Sequence, residues 1–489
     1  MKARIITNTI LIAIIALIIY ILAIPVNMHQ ITFWLEITGI VTVVIWVNHW
    51  ITAIEHEYWN DVIDYKLVIP FIILIIMMIL GIASSPLFNA NRYSRLISVE
   101  TCSADTIPEI NNQLPLMDTA SAQVLGSKEL GVLTDLAGQF TDDTYRQINY
   151  ENSIKVFAPL RYRGFFKWLN QKLNGIPGYV IVDTASQSAE YRNAEQAMHI
   201  APAGYFNDDA KRYLWLTYPT KIYRNIHVEP DDEGTLYIIA PYVKRTIGVF
   251  GGTVIDGAVL VNTHTGAVQD YKSDNIPEWV DVIWDGDLLS ELYNCYGKYQ
   301  RGFWNSIFGQ VGCTVVTDDY GYIADKNDVM MFTGVTSLAA EDQSNVGFII
   351  ANERTGEMKY TAIPGSNESS AMSAAMGEVQ EKEYIASFPT LAMLDDKPVY
   401  VSILKDNAGY VKMFAVIDAE QANNVAVAST KDDAIKAFKK KYILSDKNPS
   451  QESETSEEVL ITNAEFVSEN GTVLIITTKD GQVLKYRFD

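Results

Sequence analysis

The chain has 489 residues, 48% of them hydrophobic, and a formal net charge of −21 at pH 7. That length holds a membrane segment plus two or three folded units, and the acidity argues against nucleic acid or an anionic lipid surface as a partner. The three cysteines, Cys102, Cys295 and Cys313, argue against a disulfide framework or a zinc site. Cys295 and Cys313 read as buried free thiols, with a single bridge between them as the alternative for a domain outside the cell.

The first 86 residues carry three apolar runs. Ile5 to Val26 has no charge, Ile31 to Ile54 is interrupted only by Glu36 and His49, and Leu67 to Ser84 is again uncharged. A bilayer core of about 30 Å needs about 20 apolar residues at 1.5 Å rise. Backbone groups in lipid must pair within their own segment, so the runs predict three transmembrane helices. The first is too long for a cleaved signal peptide and lacks a small-residue cleavage pattern before Pro25. Lys2 and Arg4 favour a cytoplasmic N-terminus, and three crossings then put everything after Ser85 outside the cell. Arg92 and Arg95 weaken that charge bias. Glu36 and His49 are intramembrane candidates. Both stand near a membrane edge, and Trp46, His49, Trp50, His56 and Trp59 resemble an interfacial aromatic belt, so anchoring is preferred over a proton or metal relay.

The soluble part reads as α+β with antiparallel sheets. Residues 87–205 form a membrane-proximal unit entered through the amphiphilic stalk Asn89 to Glu100. Its stretch Phe157 to Asp183 is dense in aromatics, which predicts core, with a membrane-facing or ligand surface as the alternative. Residues 206–445 form the next region. Asp208 to Thr217 has helical character, Asp232-Glu-Gly234 is a turn, and Thr235 to Ala240 is a short apolar strand. Ala258 to Tyr271 and Gly347 to Tyr360 share one arrangement: an apolar strand, Asn-x-x-Thr-Gly, and a return strand ending in Tyr. Glycine suits that place because the turn enters positive φ. Asn367 to Lys382 predicts a helix capped at Ser366 or Asn367. A meander follows through Pro398 to Leu404 and Tyr410 to Asp418, then a basic helix over Lys431 to Lys441. Residues 446–458 are polar, charged and free of aromatics, which marks a linker. Residues 459–489 predict three short strands in a small β-meander or barrel.

Within this order, Asp396-Lys-Pro-Val-Tyr400 and Lys412 to Asp418 resemble strands of the PepSY family of small envelope domains, over Glu368 to Thr430. A looser copy over Asp208 to Tyr271 carries Val261-Asn-Thr-His-Thr-Gly266, similar to that family's Val-Asp-x-x-Thr-Gly turn. The first copy departs at Ile417-Asp-Ala-Glu-Gln421, which lacks the Thr-Gly. The resemblance implies a non-catalytic binding or regulatory domain at the cell envelope and carries no catalytic residues.

No nucleophile elbow, phosphate loop, dinucleotide glycine pattern, HExxH or Cys-x-x-Cys occurs. No cofactor or metal is therefore expected. His227-Val-Glu229 with Asp231 and Asp232 reads as turn chemistry ahead of a strand rather than a cation site, and Asp318-Asp319 and Asp395-Asp396 also read as turns. Thr333 to Ser337 beside Glu341-Asp342 offers hydroxyls and carboxylates without a base. The most unusual stretch is Tyr293 to Phe308, where Tyr293, Tyr296, Tyr299, Phe303 and Trp304 surround Lys298 and Arg301, with Trp279 just upstream. Tyr, Trp and Arg are favoured at binding hot spots, so these are the binding candidates, against inter-domain packing. The expectation is an integral cell-membrane protein whose extracellular domain binds a protein, a peptide or an envelope polymer. An envelope enzyme with a site assembled from distant loops, and a transport or assembly component using Glu36 and His49, are the alternatives.

Overall fold

The computed structural model describes residues 2–56, 65–103, 107–110, 116–151, 153–317, 319–325, 328–339, 344–443, 461–468, 472–478 and 483–488. Two compact units divide it, Met1–Ala434 and Ile435–Asp489. The expected linker, Trp59, Asp318 and the Glu341-Asp342 pair lie outside the described residues.

Among the described residues, two helices are long and apolar enough to cross a membrane: α1 (Lys2–Leu22) and α2 (Ile31–His56). The third run behaves differently. Its α-helix, α3 (Ile69–Ser84), has 16 residues and is bent by 41° from the short α4 (Pro86–Tyr93). Sixteen residues rise about 24 Å, short of the about 30 Å of a hydrocarbon core. The expected span begins at Leu67, but Tyr65–Val68 is wound as a 3₁₀ turn and Pro70 occupies the first helical turn, so α3 starts late.

The ends of these helices are tied to the body. Leu22 and Ile24 carbonyls accept from Lys211 Nζ (3.1 Å) and Trp215 Nε1 (2.8 Å). Val26 N–H donates to the Pro219 carbonyl (2.7 Å), and His29 Nδ1 donates to the Val249 carbonyl (2.8 Å). At the end of α3, Ser84 Oγ accepts from the Val249 and Phe250 amides at 3.0 and 3.3 Å. The end of α1, the start of α2 and the end of α3 therefore all meet the body.

The body repeats one plan four times. Each repeat is an antiparallel meander whose first strand is broken into two pieces, both paired to a long second strand. In the first sheet Phe140–Asp142 and Arg146–Tyr150 pair with Ser153–Tyr162, followed by Ile176–Asp183 and Ser188–Met198. In the second, Ile222–Tyr223 and His227–Pro230 pair with Leu236–Ile247, followed by Gly251–Asn262 and Val268–Lys272. The third pairs Thr314–Val316 and Gly321–Asp325 with Asp328–Ser337, followed by Gly347–Asn352 and Met358–Thr361. The fourth pairs Ile385–Ala386 and Thr390–Leu394 with Lys397–Lys405, followed by Val411–Asp418 and Val425–Ala428.

The long second strands are buried over nearly their whole length. Runs such as Val156 to Leu160 are apolar without alternation because each sheet is covered on both faces. One core joins the first sheet to the second through Val156, Ile181, Ile238 and Val259. Another joins the third to the fourth through Phe332, Phe348, Tyr400 and Ile417. The helix Gly286–Tyr299 fills the space between the second and third sheets, with Leu288 and Leu292 on one core and Leu289 and Tyr293 on the other.

The turn between third and fourth strands is the same device each time. Asp183, Asn262, Asn352 and Asp418 each use Oδ1 to accept from the amides two and three residues on. This is an Asx turn, and it satisfies amides that the ladder cannot reach. In three of the four the left-handed position follows, occupied by Gln187, Gly266 and Gly356 at φ 57°, 73° and 77°. The Thr-Gly pair noticed in the sequence is thus one form of a fourfold feature.

Outside the ring, Val99–Cys102 adds a parallel strand to the outer edge of the third sheet against Met358–Thr361. In the second unit, Ile461–Ser468, Thr472–Thr478 and Val483–Phe488 form an open three-stranded antiparallel meander, not a closed barrel.

Candidate functional site

The breaks in the four first strands face one another. Tyr145, Arg146 and Gln147 come from the first sheet, Asn225 from the second, Asp319 to Tyr322 from the third, and Phe388 and Thr390 from the fourth. Together with Leu116 to Ala120 and Asp285 to Asp287 they enclose a cavity of about 560 Å³. Antiparallel blades with their first strands around a common centre are the arrangement of a β-propeller.

Most of the formal charge in this cavity is neutralised. Arg224 grips Asp285 with two hydrogen bonds, 2.8 and 3.2 Å. Asp285 also caps the helix Gly286–Tyr299 by accepting from the Leu288 amide. Burial works to raise the Asp285 carboxyl, but Arg224 and the helix cap outweigh it and hold the group below the usual carboxylate range. Asp118 is handled alike: burial raises it, and Lys405 Nζ at 2.6 Å with the Ser121 amide at 2.7 Å brings it below that range. Asp287 accepts from the Tyr320 hydroxyl at 3.0 Å, and Arg146 donates to Asn225 Oδ1 at 2.7 Å. What faces the cavity is a mixed set of donors and acceptors with aromatic walls from Tyr320, Tyr322 and Phe388.

Buried acids flank the cavity. Glu353 is 2% exposed, and its Oε1 has no hydrogen-bond partner among the described residues. Burial holds its carboxyl well above the usual range, only partly opposed by Arg146. Glu229 accepts from the amides of Asp281 (2.9 Å) and Val282 (3.2 Å) and faces His227 Nε2 at 2.8 Å. His227 Nδ1 faces the Asn225 carbonyl at 2.7 Å and must carry a hydrogen there. Asp281 accepts from the Asn149 amide at 2.7 Å, and burial followed by the Glu229 charge pushes it well above the carboxylate range. With Glu151, Asp232 and Glu278 it lines a smaller cavity of about 280 Å³. Asp231, by contrast, accepts from the Glu233 and Thr235 amides and does turn work, as its sequence suggests.

The structure separates the binding candidates. Tyr293 is buried, its hydroxyl 3.2 Å from Thr314 Oγ1, and its ring packs on Tyr296 with centroids 5.9 Å apart. Trp279 packs on Tyr237 at 5.1 Å. Lys298 and Tyr299 line a second cavity of about 560 Å³ that shares Asp287 and Tyr320 with the central one. Arg301 and Trp304 are exposed, Phe303 is half-buried, and Trp304 stacks on Phe308 at 5.8 Å. On α2, Glu36 and His49 are both half-buried, and Glu36 Oε1 has no partner among the described residues.

Arg146, Asp285, Asp287, Tyr320 and Glu353 were not visible as a site in the sequence. The signal that could have found them is the fourfold Asx turn, because the inner strand precedes each turn by a similar length of chain.

No known protein family matches the chain, and no curated protein does. Among solved structures, a levansucrase variant from B. megaterium aligns over 83% of this chain and 96% of its own, with 10% identity and a TM-score of 0.20. The polysaccharide lyase Uly1 aligns over 72% and 58%, with 8% identity and a TM-score of 0.15. An ACO/RPE65 chimera aligns over 57% and 59%, with 8% identity and a TM-score of 0.16. Likeness at that level carries no argument about fold or function.

Proposed function

We propose that this is a membrane-anchored cell-envelope protein whose four-sheet body is a binding domain for a neutral, hydroxyl-rich ligand such as a segment of an envelope polymer. The observation that carries the reading is the central cavity, to which all four sheets contribute polar groups while Arg224 and Lys405 cancel two of its carboxylates. A pocket of this volume with convergent, orienting polar groups suits a small polar ligand. Hydroxyls supply both donors and acceptors to match Gln147, Asn225, Asp287 and Thr390, and tyrosine faces suit the apolar side of a sugar ring.

The anchor in this reading has three crossings, with α3 and its flanking turn completing the third across a locally thinned bilayer. Lys2 and Arg4 then stay in the cytoplasm and the body lies outside. The attachment of the α1 end, the α2 start and the α3 end to the same body supports that alternation. The test is calorimetric titration of the detergent-solubilised full chain with a panel of neutral oligosaccharides, beside Arg146→Ala and Asp287→Ala. Binding that survives both substitutions, or its absence across the panel, rejects the reading.

A second reading, an envelope enzyme working in the same cavity, is favoured by two carboxyls pushed in opposite directions beside it: burial holds Glu353 well above the usual range, and Arg224 holds Asp285 below it. If turnover of any panel member is seen and Glu353→Gln abolishes it while binding persists, catalysis replaces simple binding.

A further inference from the structure

Two apolar ridges stand out on the body, and both lie where the body meets the helices. On the helix Phe165–Gln171 and the turn after it, Phe166 is 81% exposed, with Leu169 and Leu173 on the same side. Phe165 packs on Phe206, centroids 6.4 Å apart, and Phe206 is itself exposed while held at φ 53°. Aromatic residues rarely adopt that left-handed geometry, so the surrounding contacts impose it. Body and anchor meet here: Arg212 donates to the Phe206 carbonyl while lying over the Tyr20 ring of α1, and the neighbouring Asn207 Oδ1 accepts from the Tyr20 hydroxyl at 2.8 Å.

The second ridge is the far half of the aromatic stretch. Phe308 is 78% exposed, and Trp304, Ile307 and Val311 are exposed beside it. It is tied to the end of α3 through Tyr93, whose hydroxyl donates to the Ser84 carbonyl at 2.8 Å and whose ring meets Tyr299 at 6.2 Å. On α4, Phe88 is exposed too.

Charge follows the same pattern. In a chain of net charge −21, residues 152–182 and 292–317 contain no Asp or Glu. The first stretch exposes Arg161, Arg163, Lys167 and Lys172, and the second carries Lys298 and Arg301. Asp208 stands beside the first ridge and accepts from the Trp168 indole at 3.0 Å. Exposed aromatic and aliphatic side chains ringed by Lys and Arg are the composition of a surface that lies in a membrane interface.

We infer that the two ridges are a bilayer-contact surface that seats the body in the interfacial layer of the leaflet where α1 and α3 end. The occupant is lipid: the apolar side chains enter the headgroup–acyl boundary, and the surrounding cations meet anionic headgroups. This rests on the anchoring reading, since the ridges border the apolar helices. It revises the expectation that an acidic body is repelled by anionic lipid, because repulsion set by total charge is overridden where acids are locally absent.

The test uses the full chain in nanodiscs of mixed phosphatidylglycerol and phosphatidylcholine, with photoreactive benzoylphenylalanine replacing one residue at a time. The positions are Phe166, Phe308, Leu17 in α1, and Ile385 in the fourth sheet, another exposed apolar residue. Lipid adducts at positions 166 and 308 at least about tenfold above those at 385 are expected, falling severalfold at 166 when phosphatidylglycerol is withdrawn. Adducts at 17 with none above the 385 level at 166 and 308 overturn the inference and leave the anchor standing. Adducts joining two copies of the chain overturn it in favour of self-association. No adduct at 17 removes the anchor, and the proposal with it.

Discussion

Replacing Glu353 with Gln tests the electrostatics of the buried acids beside the cavity. The side chain is 2% exposed, and burial, opposed only in part by Arg146, lifts its carboxyl well above the ordinary value of 4.5. The group holds its proton more tightly in the folded chain than in the unfolded one. Below about pH 4.5 both states are protonated and the group is neutral to stability. As pH rises, the unfolded chain releases a proton that the native state keeps, so stability falls until the folded group ionises as well. One such proton gives a slope of about 1.4 kcal/mol per pH unit. Glu353→Gln keeps the shape, leaves nothing to ionise, and removes that slope. For a unit of this size 1 kcal/mol moves Tm by about 1–2 °C, so the variant should gain about 2 °C on the wild type for each pH unit over which Glu353 stays protonated. The assay is intrinsic-fluorescence melting of both proteins in detergent between about pH 4 and 8. The curves should meet at the acid end and diverge upward. Parallel curves would show that Glu353 is not held protonated, and the acid–base reading of the cavity would fall with it.

Other outcomes follow from the packing. Asn352→Ala should destabilise the body by about 1–3 kcal/mol, because it removes two amide acceptances and a 2.7 Å bond to Asp328; denaturant melts compared with Asn262→Ala, which lacks the Asp328 bond, should show the smaller loss in the latter. Gly356→Ala should cost about 1–3 kcal/mol in the same melts, since the residue sits at φ 77° and a Cβ there would lie 2.6 Å from the Trp284 ring. Ser84→Ala should speed amide exchange at Val249 and Phe250, both of which donate to that hydroxyl; unchanged exchange would mean the α3 end is not held there. Burial pushes the Cys295 thiol up to about 11, so at about pH 8 iodoacetamide should modify it more slowly than Cys102. Mass spectrometry without reductant should show Cys295 and Cys313 as free thiols.

How much was legible in the sequence depended on the reach of each signal. The apolar runs of α1 and α2 needed only composition and length. The third run also looked long enough, but the 3₁₀ turn before Pro70 shortened its helix, and composition does not report winding. The Asn-x-x-Thr-Gly turns stood out at Asn262 and Asn352 because glycine marks positive φ there. The equivalent turns at Asp183 and Asp418 stayed hidden, since Gln187 takes the left-handed position in one and the other is built around Asn424 without it. The fourfold turn therefore showed at only two of its four places. The cavity was invisible for the same reason: its lining comes from breaks far apart in the chain, and a residue such as Asp319 reads locally as a turn. In the stretch Tyr293 to Phe308 residue type alone did not tell rings that face the core, such as Tyr293, from rings that face out, such as Phe308.

The strand Val99–Cys102 bears on how this protein is made. It leaves the anchor early, yet its partner Met358–Thr361 lies about 260 residues later. Closing so long a loop costs about 5 kcal/mol in chain entropy before any contact repays it. During synthesis the segment must wait unpaired while two whole sheets and most of a third are produced. Once docked, it covers an outer edge that would otherwise offer unpaired amides to neighbouring chains. The last pairing of the third sheet is thus a seal that only a nearly finished polypeptide can set, and truncated products would display the edge it hides.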